Sequence, residues 1–531
     1  MTEATSPSPQ PGPPAGARFA ALVGAGILLS RIFGLVRQRV LAHYLGLSSS
    51  ADAFSAGFRI PNLLQNLFGE GVLSASFIPV YSRHLARGEE TEAHRLAGAV
   101  FAFLSLIVAV VVLAGVAATP WLIDLIARGF EGEKRALTIR IVRVLFPGMG
   151  LLVLSAWCLG ILNSHRRFFL PYVAPVVWNV AIIASLFLYG GRVNDAELAV
   201  VAAWGSVVGS ALQLLVQLPV VLSLVRGIRP SFERGPHLRT VARNFVPAFV
   251  SRGVVQIGAY IDTLIASLLP TGAVAALMNA QMLYTLPVSL FGMSISAAAL
   301  PQMATDATRE EAVAERLGAH LQAGLRRIAF FVVPSAAVFL ALGDVAAAAL
   351  FETGEFSRDD SLYVWALLAG SAVGLLASTS GRLYSSAFYA LHDTRTPLRF
   401  AAIRVGVGVG LATMLAVYGP GWLGIAPRWG AAGITIASGL AAWLEVTLLR
   451  SALRARLGIA PRLTGLVVKL WLCAVIGALA GWGVKVLLGN VHPWVMAALV
   501  LGTFGLVYLA STAATGVEEA RALLARASRA R

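Results

Sequence analysis

LFGEGVLSASFIP, Leu67–Pro79, returns a little over 220 positions later as LFGMSISAAALP, Leu290–Pro301. Three further landmarks keep the same order: Ser30-Arg31 with Ser251-Arg252, LIARGF from Leu125 with LFETGEF from Leu350, and Gly150-Leu151-Leu152 with Gly374-Leu375-Leu376. Self-similarity at a fixed offset marks a repeated structural unit. Around these landmarks lie apolar runs of about 20 residues, each able as a helix to cross a hydrocarbon core of ~30 Å. The unit holds six such runs, an even number. Both copies therefore keep one orientation, related by an axis along the membrane normal.

The predicted fold is an all-α integral membrane protein of about fourteen transmembrane helices, with two six-helix lobes at residues 19–225 and 241–452. Two further helices, residues 464–514, lie outside the repeat, between it and a cytoplasmic tail at 515–531. Residues 308–327, TREEAVAERLGAHLQAGLRR, are too charged to span and are expected as a separate surface helix.

Composition agrees. The chain has 531 residues, 57% hydrophobic and 13% charged, with a mean hydropathy of +0.76. A soluble globule could not hide that much apolar surface. The first 17 residues hold no Lys or Arg, so they lack the basic region of a secretory signal, and residues 1–18 are expected as a disordered cytoplasmic tail. Cys158 and Cys473 sit in separate apolar runs and suggest neither a disulfide framework nor a metal cluster. The net charge of +16 falls mainly in alternate loops, such as Arg83, Arg87, Arg166, Arg167, Arg239, Arg243, Arg454 and Arg456. That distribution is topological rather than a nucleic-acid surface, and it puts both termini in the cytoplasm.

Charges inside the spans need a reason, since an Arg at a helix centre costs ~2.5–3.5 kcal/mol on insertion scales. Span one carries Arg31 and Arg37. In span two, Asp52, Arg59, Asn66 and Glu70 are spaced by 7, 7 and 4 residues and form one polar stripe, beside Pro61 and Gly69-Glu70-Gly71, which can bend the helix. Span seven adds Arg252 and Gln256 on one face with Asp262 nearby, and spans ten and eleven add Arg382 and Arg404. Structural ion pairs, such as Asp52 with Arg59, would account for some of these. The excess of guanidinium over carboxylate points further, to an anionic and phosphorylated ligand. Asp262 suits coupling to sodium or protons, or an ion pair with Arg404 or Arg252. Glu445 is expected to find a basic partner at the membrane surface.

The run ADAFSAGFRIPNLLQNLFGEGVLSASFIP, Ala51–Pro79, resembles the second helix of the MurJ (MviN) lipid II flippases, of the MOP exporter superfamily. LSRIFGLVR in span one, Phe351 to Asp360 and DTRTP from Asp393 to Pro397 extend the resemblance over nearly the whole chain. The resemblance implies export of lipid II, the undecaprenyl-diphosphate-linked peptidoglycan precursor, from the cytoplasmic to the periplasmic leaflet of a bacterial inner membrane. It also implies that Arg31 and Arg37 meet the diphosphate and sugar, that Asp52, Arg59 and Glu70 are charged positions of the same site, and that residues 464–514 form a groove for the lipid tail. Lipid II and membrane lipids are the implied partners, with cell-wall synthesis machinery beside them. No bound cofactor is implied; coupling would come from Na+ or H+ at Asp262 and Arg404 and from the membrane potential. Two departures stand out: Gln65 and Met282 occupy positions where many relatives carry Arg.

A membrane enzyme would need clustered metal-binding acids or a nucleophile beside a base, and neither pattern is present in the sequence. A MATE-like antiporter would want an acidic or aromatic cavity. Export of another polyprenyl-diphosphate-linked glycan is the alternative that the same chemistry serves.

Overall fold

The computed structural model describes residues 15–225, 231, 232, 235–307, 313–458, 461, 463–489 and 491–529. The side chains of residues 15–23, 61, 64, 70, 248, 250–252, 254, 255, 257, 306, 307 and 526–529 lie outside that description, as do residues 1–14 of the expected tail. Helices α1 (Ala15–Leu45), α2 (Ser49–Phe68), α3 (Glu70–Ser76), α4 (Ile78–Ala86), α5 (Glu90–Ile126), α6 (Gly132–Ser164), α7 (Phe169–Tyr189) and α8 (Asp195–Leu224) lead to α9 (Pro236–Ser267). Then come α10 (Ala273–Pro287), α11 (Ser294–Ala307), α12 (Val313–Ala341), α13 (Gly343–Phe351), α14 (Arg358–Ala390), α15 (Arg395–Thr413) and α16 (Gly419–Leu423). The last four are α17 (Gly430–Leu457), α18 (Thr464–Leu488), α19 (Pro493–Ala514) and α20 (Glu518–Arg529).

Helices satisfy every backbone polar group within the segment, which is what a chain crossing lipid requires. Among the described residues, eleven helices are long and apolar enough to cross a membrane; α1, α2 and α9 are not among the eleven. Large apolar side chains stand exposed at helical spacing, for example Leu106, Val110 and Leu113 on α5 and Leu472, Leu479 and Val486 on α18. In water such stripes would be a liability; in lipid they are the solvated face. The protein is a multi-pass, all-helical membrane protein.

The chain divides into two compact units. The first comprises residues 1–40, 57–122 and 136–257. Its core gathers Phe77, Tyr81 and Trp157 with Leu96, Val100, Ile161 and Val221. Here α7 and α8 pack at backbone distance, because a Cβ on Gly209 would stand 2.8 Å from the Trp178 carbonyl oxygen. The second unit comprises residues 41–56, 123–135 and 258–531. In it α14 and α17 meet where a Cβ on Gly374 would collide with the Cα of Gly439. Its other core joins α12 to α18, α19 and α20 through Phe330, Cys473, Phe504 and Tyr508, and the Tyr508 hydroxyl donates to the Phe330 carbonyl at 2.8 Å.

Both copies of the repeated LFG interrupt a regular helix, in different ways. In the first, α2 stops at Phe68 and Gly69 (φ −86°, ψ −145°) starts α3 afresh. In the second, Val288–Met293 winds as a π-helical turn between α10 and α11. The break at Gly69 corrects the expected stripe: Glu70 opens α3, so it does not continue the helical register of Asp52, Arg59 and Asn66. A second correction concerns 308–327, expected as a separate surface helix. From Val313 it is the first part of α12, which runs on unbroken to Ala341. The charge there is partly met by α20: Arg326 donates to Glu519 and Glu518 at 2.8 Å each.

Candidate functional site

In the first unit the two span-one arginines differ. Arg31 is exposed on α1, and Arg37, about 9 Å further along the axis, is half-buried. Neither makes a hydrogen bond or ion pair among the described residues, and the Nε of Arg37 is buried without a partner. What Arg37 does meet is aromatic: its guanidinium carbon lies over the rings of Trp178 and Phe58, 5.0 and 5.4 Å from their centroids. Arg59 is half-buried and Asn66 exposed on α2, while Gln256 is half-buried on α9. The side chains of Glu70 and Arg252, both predicted site residues, lie outside the described residues.

Asp52 has a different role from the one expected. It is 1% exposed and belongs to the second unit. Gly272, the residue that starts α10, has φ +94°, and a Cβ there would stand 2.9 Å from the Leu47 carbonyl oxygen. Glycine is therefore required, and glycine has no side chain with which to cap the helix. Asp52 supplies the cap from α2: Oδ2 accepts from the Gly272 amide at 2.8 Å and Oδ1 from the Ala275 amide at 2.9 Å. Lys134 completes the set, its Nζ 2.6 Å from Oδ2 and 4.1 Å from the Phe130 ring centroid. With both oxygens engaged, Asp52 is a structural anchor for the start of α10.

The second unit also holds a polar cavity of about 160 Å³ lined by Asp262, Gln281, Tyr284, Ser371, Arg404 and Ser438. The structure thus brings Asp262 and Arg404 to one cavity. Arg404 donates from Nη1 to Glu445 Oε2 at 2.9 Å, and the Tyr284 hydroxyl pairs with Ser378 at 2.7 Å. Glu445 was expected to seek a partner at the membrane surface; its partner is this intramembrane arginine, and Arg450 instead reaches the Pro461 carbonyl at 3.4 Å. Among the described residues no group of three or more His, Cys, Asp or Glu side chains could hold a metal ion.

The outer motifs prove to be helix caps. Ser357 and Asp360 form a reciprocal capping box that starts α14. Asp393 lies just before α15 and ties its first turn, accepting from the Thr396 and Arg395 amides, the Thr396 hydroxyl and Arg456. The bonds from the Thr396 backbone and side chain, helped by the Arg395 amide and the Arg456 charge, hold its carboxyl below the usual range. Sequence reasoning missed Trp178, because one indole in an apolar run has no pattern until Arg37 is placed beside it.

A family model described as "Lipid II flippase MurJ" matches residues 41–505. The "Probable lipid II flippase MurJ" of Rhizobium meliloti (strain 1021) is 33% identical over 440 residues, 81% of this chain and 79% of that protein. The "Lipid II flippase MurJ" of Burkholderia cenocepacia is 32% identical over 436 residues, 81% and 82% of the two chains. A solved structure, "Lipid II flippase MurJ, inward closed conformation", is similar with a TM-score of 0.76 at 23% identity, covering 93% of this chain and 98% of the other. An inward-facing MATE family transporter of the MOP superfamily shares the fold with a TM-score of 0.66 at 17% identity, over 82% of this chain and 98% of the other. With the family model spanning most of its length and relatives above 30% identity along four-fifths of it, this chain belongs to the lipid II flippase MurJ family.

Proposed function

We propose that this chain carries lipid II from the cytoplasmic to the periplasmic leaflet of a bacterial inner membrane by alternating access, as a carrier rather than an enzyme. The observation that carries the reading is Arg37, a half-buried guanidinium in a helix of a membrane protein, without a carboxylate or hydrogen-bond acceptor among the described residues. An uncompensated charge in low dielectric is costly. A diphosphate would offset that cost, and the guanidinium fork matches its oxygens. Arg31, Arg59, Asn66, Glu70, Arg252 and Gln256 are the further contacts of the head group in this reading. Family membership supports the identity of the lipid.

Residues 19–225 and 241–452 are the rocking lobes of this reading, and 464–514 holds the lipid tail. Fourteen spans result if α1, α2 and α9, of 31, 20 and 32 residues, also cross. The basic loops support cytoplasmic termini. An inside-negative potential assists outward movement of the anionic head group, at ~2.3 kcal/mol per charge per 100 mV. Asp262 and Arg404 are the residues for coupling to Na+ or H+, and cell-wall synthesis machinery is the partner that would receive the lipid.

The test is complementation of cells depleted of their own lipid II flippase, with outward lipid II exposure assayed directly. Rescue by the parent and its loss in Arg31→Ala at equal membrane expression is the expected result. A well-expressed parent that fails to rescue overturns lipid II as the cargo, in favour of another polyprenyl-diphosphate-linked glycan.

A further inference from the structure

Arg37 is held by aromatic rings and not by hydrogen bonds among the described residues. Its guanidinium rests over two rings that lie 5.6 Å apart at 31° to each other, Phe58 from α2 and Trp178 from α7. The indole is itself fixed from behind. Its Nε1 donates to both the carbonyl and the hydroxyl oxygen of buried Ser206 on α8, at 3.1 Å each. Gly209, one turn further on, leaves no room for the Trp178 backbone to retreat, since even a Cβ there would come within 3.0 Å of the Trp178 Cα. Phe58 is 7% exposed, and a Cβ on its neighbour Gly57 would stand 3.0 Å from Ile141. Four helices thus converge on one cation, and none of them offers it a counter-charge.

We infer that Phe58 and Trp178, with Ser206 behind the indole, are positioning residues that orient the Arg37 guanidinium for a diphosphate. A guanidinium attracted by ring quadrupoles, and making no hydrogen bond among the described residues, keeps its N–H donors for another acceptor. A free Arg side chain loses up to ~2 kcal/mol of rotamer entropy on being ordered. The notch meets that cost before the ligand arrives, which is how preorganisation raises affinity. The inference rests on the reading of Arg37 as a diphosphate contact.

The experiment measures binding of undecaprenyl diphosphate to the full chain in lipid nanodiscs by native mass spectrometry, with melting temperature recorded for each variant. Trp178→Leu is expected to bind about tenfold more weakly, the loss of one desolvated cation–π face. Trp178→Phe, which restores a face, is expected within about threefold of the parent. In an Arg37→Ala background, Trp178→Leu is expected to cause no further loss. Parent-like binding by Trp178→Leu, or an equal loss with and without Arg37, overturns the inference, the second result reducing Trp178 to packing. If Trp178→Leu fails to fold, Phe58→Leu carries the same cycle with the same outcomes. A folded parent that binds no diphosphate overturns the proposed function, and the notch with it.

Discussion

Replacing Asp52 by Ala removes the acceptor of two buried amides and the partner of Lys134. Three bonds to an ionised acceptor, at ~1.5–3 kcal/mol each, set an upper bound near ~4.5–9 kcal/mol. The true cost is lower, because the bonds share two oxygens and Lys134 keeps 15% of its side chain exposed, so its ammonium can turn to water. Breaking a buried pair by losing one partner costs ~3–5 kcal/mol, and that is the expected loss for Asp52→Ala. Asp52→Asn keeps one oxygen for an α10 amide but sets an NH2 against Lys134, and about half the loss is expected, since charge-assisted bonds are roughly twice as strong as neutral ones. Lys134→Met alone leaves the carboxylate without its counter-charge, whereas Asp52→Asn with Lys134→Met leaves no charge unpaired and strands one α10 amide. The double variant should therefore lose less than the sum of the two singles. Thermal melting of the purified protein in detergent, read by size-exclusion recovery, reports all four. If Asp52→Ala melts with the parent, or the two singles simply add, the anchor does not carry the load assigned to it.

The same reasoning applies to Arg404 and Glu445, whose side chains are 36% and 11% exposed. Glu445→Gln should lower the melting temperature more than the Arg404→Gln, Glu445→Gln double variant, and the opposite order would refute a structural pair. Gly374→Val should abolish recovery of folded protein by driving α14 off α17, while Gly406→Val, with nothing within 4 Å, should be recovered normally; equal behaviour in expression and size-exclusion would remove the close-packing argument. Asp393, whose folded-state carboxyl is lowered by its Thr396 bonds, adds stability that is complete above the ordinary Asp value of ~3.9 and fades as pH falls through the lowered one. Protection of the amides of residues 395 and 396, taken as exchange relative to the free-peptide rate at each pH, should fall over that acid range in the parent. In Asp393→Asn protection should be low and flat with pH; an unchanged profile in that variant would assign the titration elsewhere.

Membrane class and helical fold were legible because apolar runs of spanning length are a property of neighbouring residues. The LFG repeat was legible for the same reason, and it marked two of the places where helices are interrupted. What sequence could not supply were partners distant along the chain. Asp52 read as one member of a stripe on α2, yet its partners lie 82, 220 and 223 residues away. Glu445 was expected to find a basic partner at the membrane surface, whereas the carboxylate reaches across 41 residues to Arg404. The segment from Val313 read as a helix of its own, yet it continues into α12, and Arg326 on it pairs with Glu518 and Glu519 at the far end of the chain. In each case the sequence identified polar residues that need partners, and only packing decided which partners they find.

The two interruptions at LFG differ mechanically. A break at Gly69 is an elbow: it changes the angle between α2 and α3 and leaves each helix wound as before. A π-helical turn is a surplus residue held within a continuous winding. Taken up into regular α-helix, such a surplus turns everything beyond it by about 100° and advances it by about 1.5 Å without breaking the backbone ladder. Val288–Met293 therefore lies where α11 can be screwed relative to α10. One sequence motif, used twice, gives the first repeat a joint that folds and the second a joint that twists.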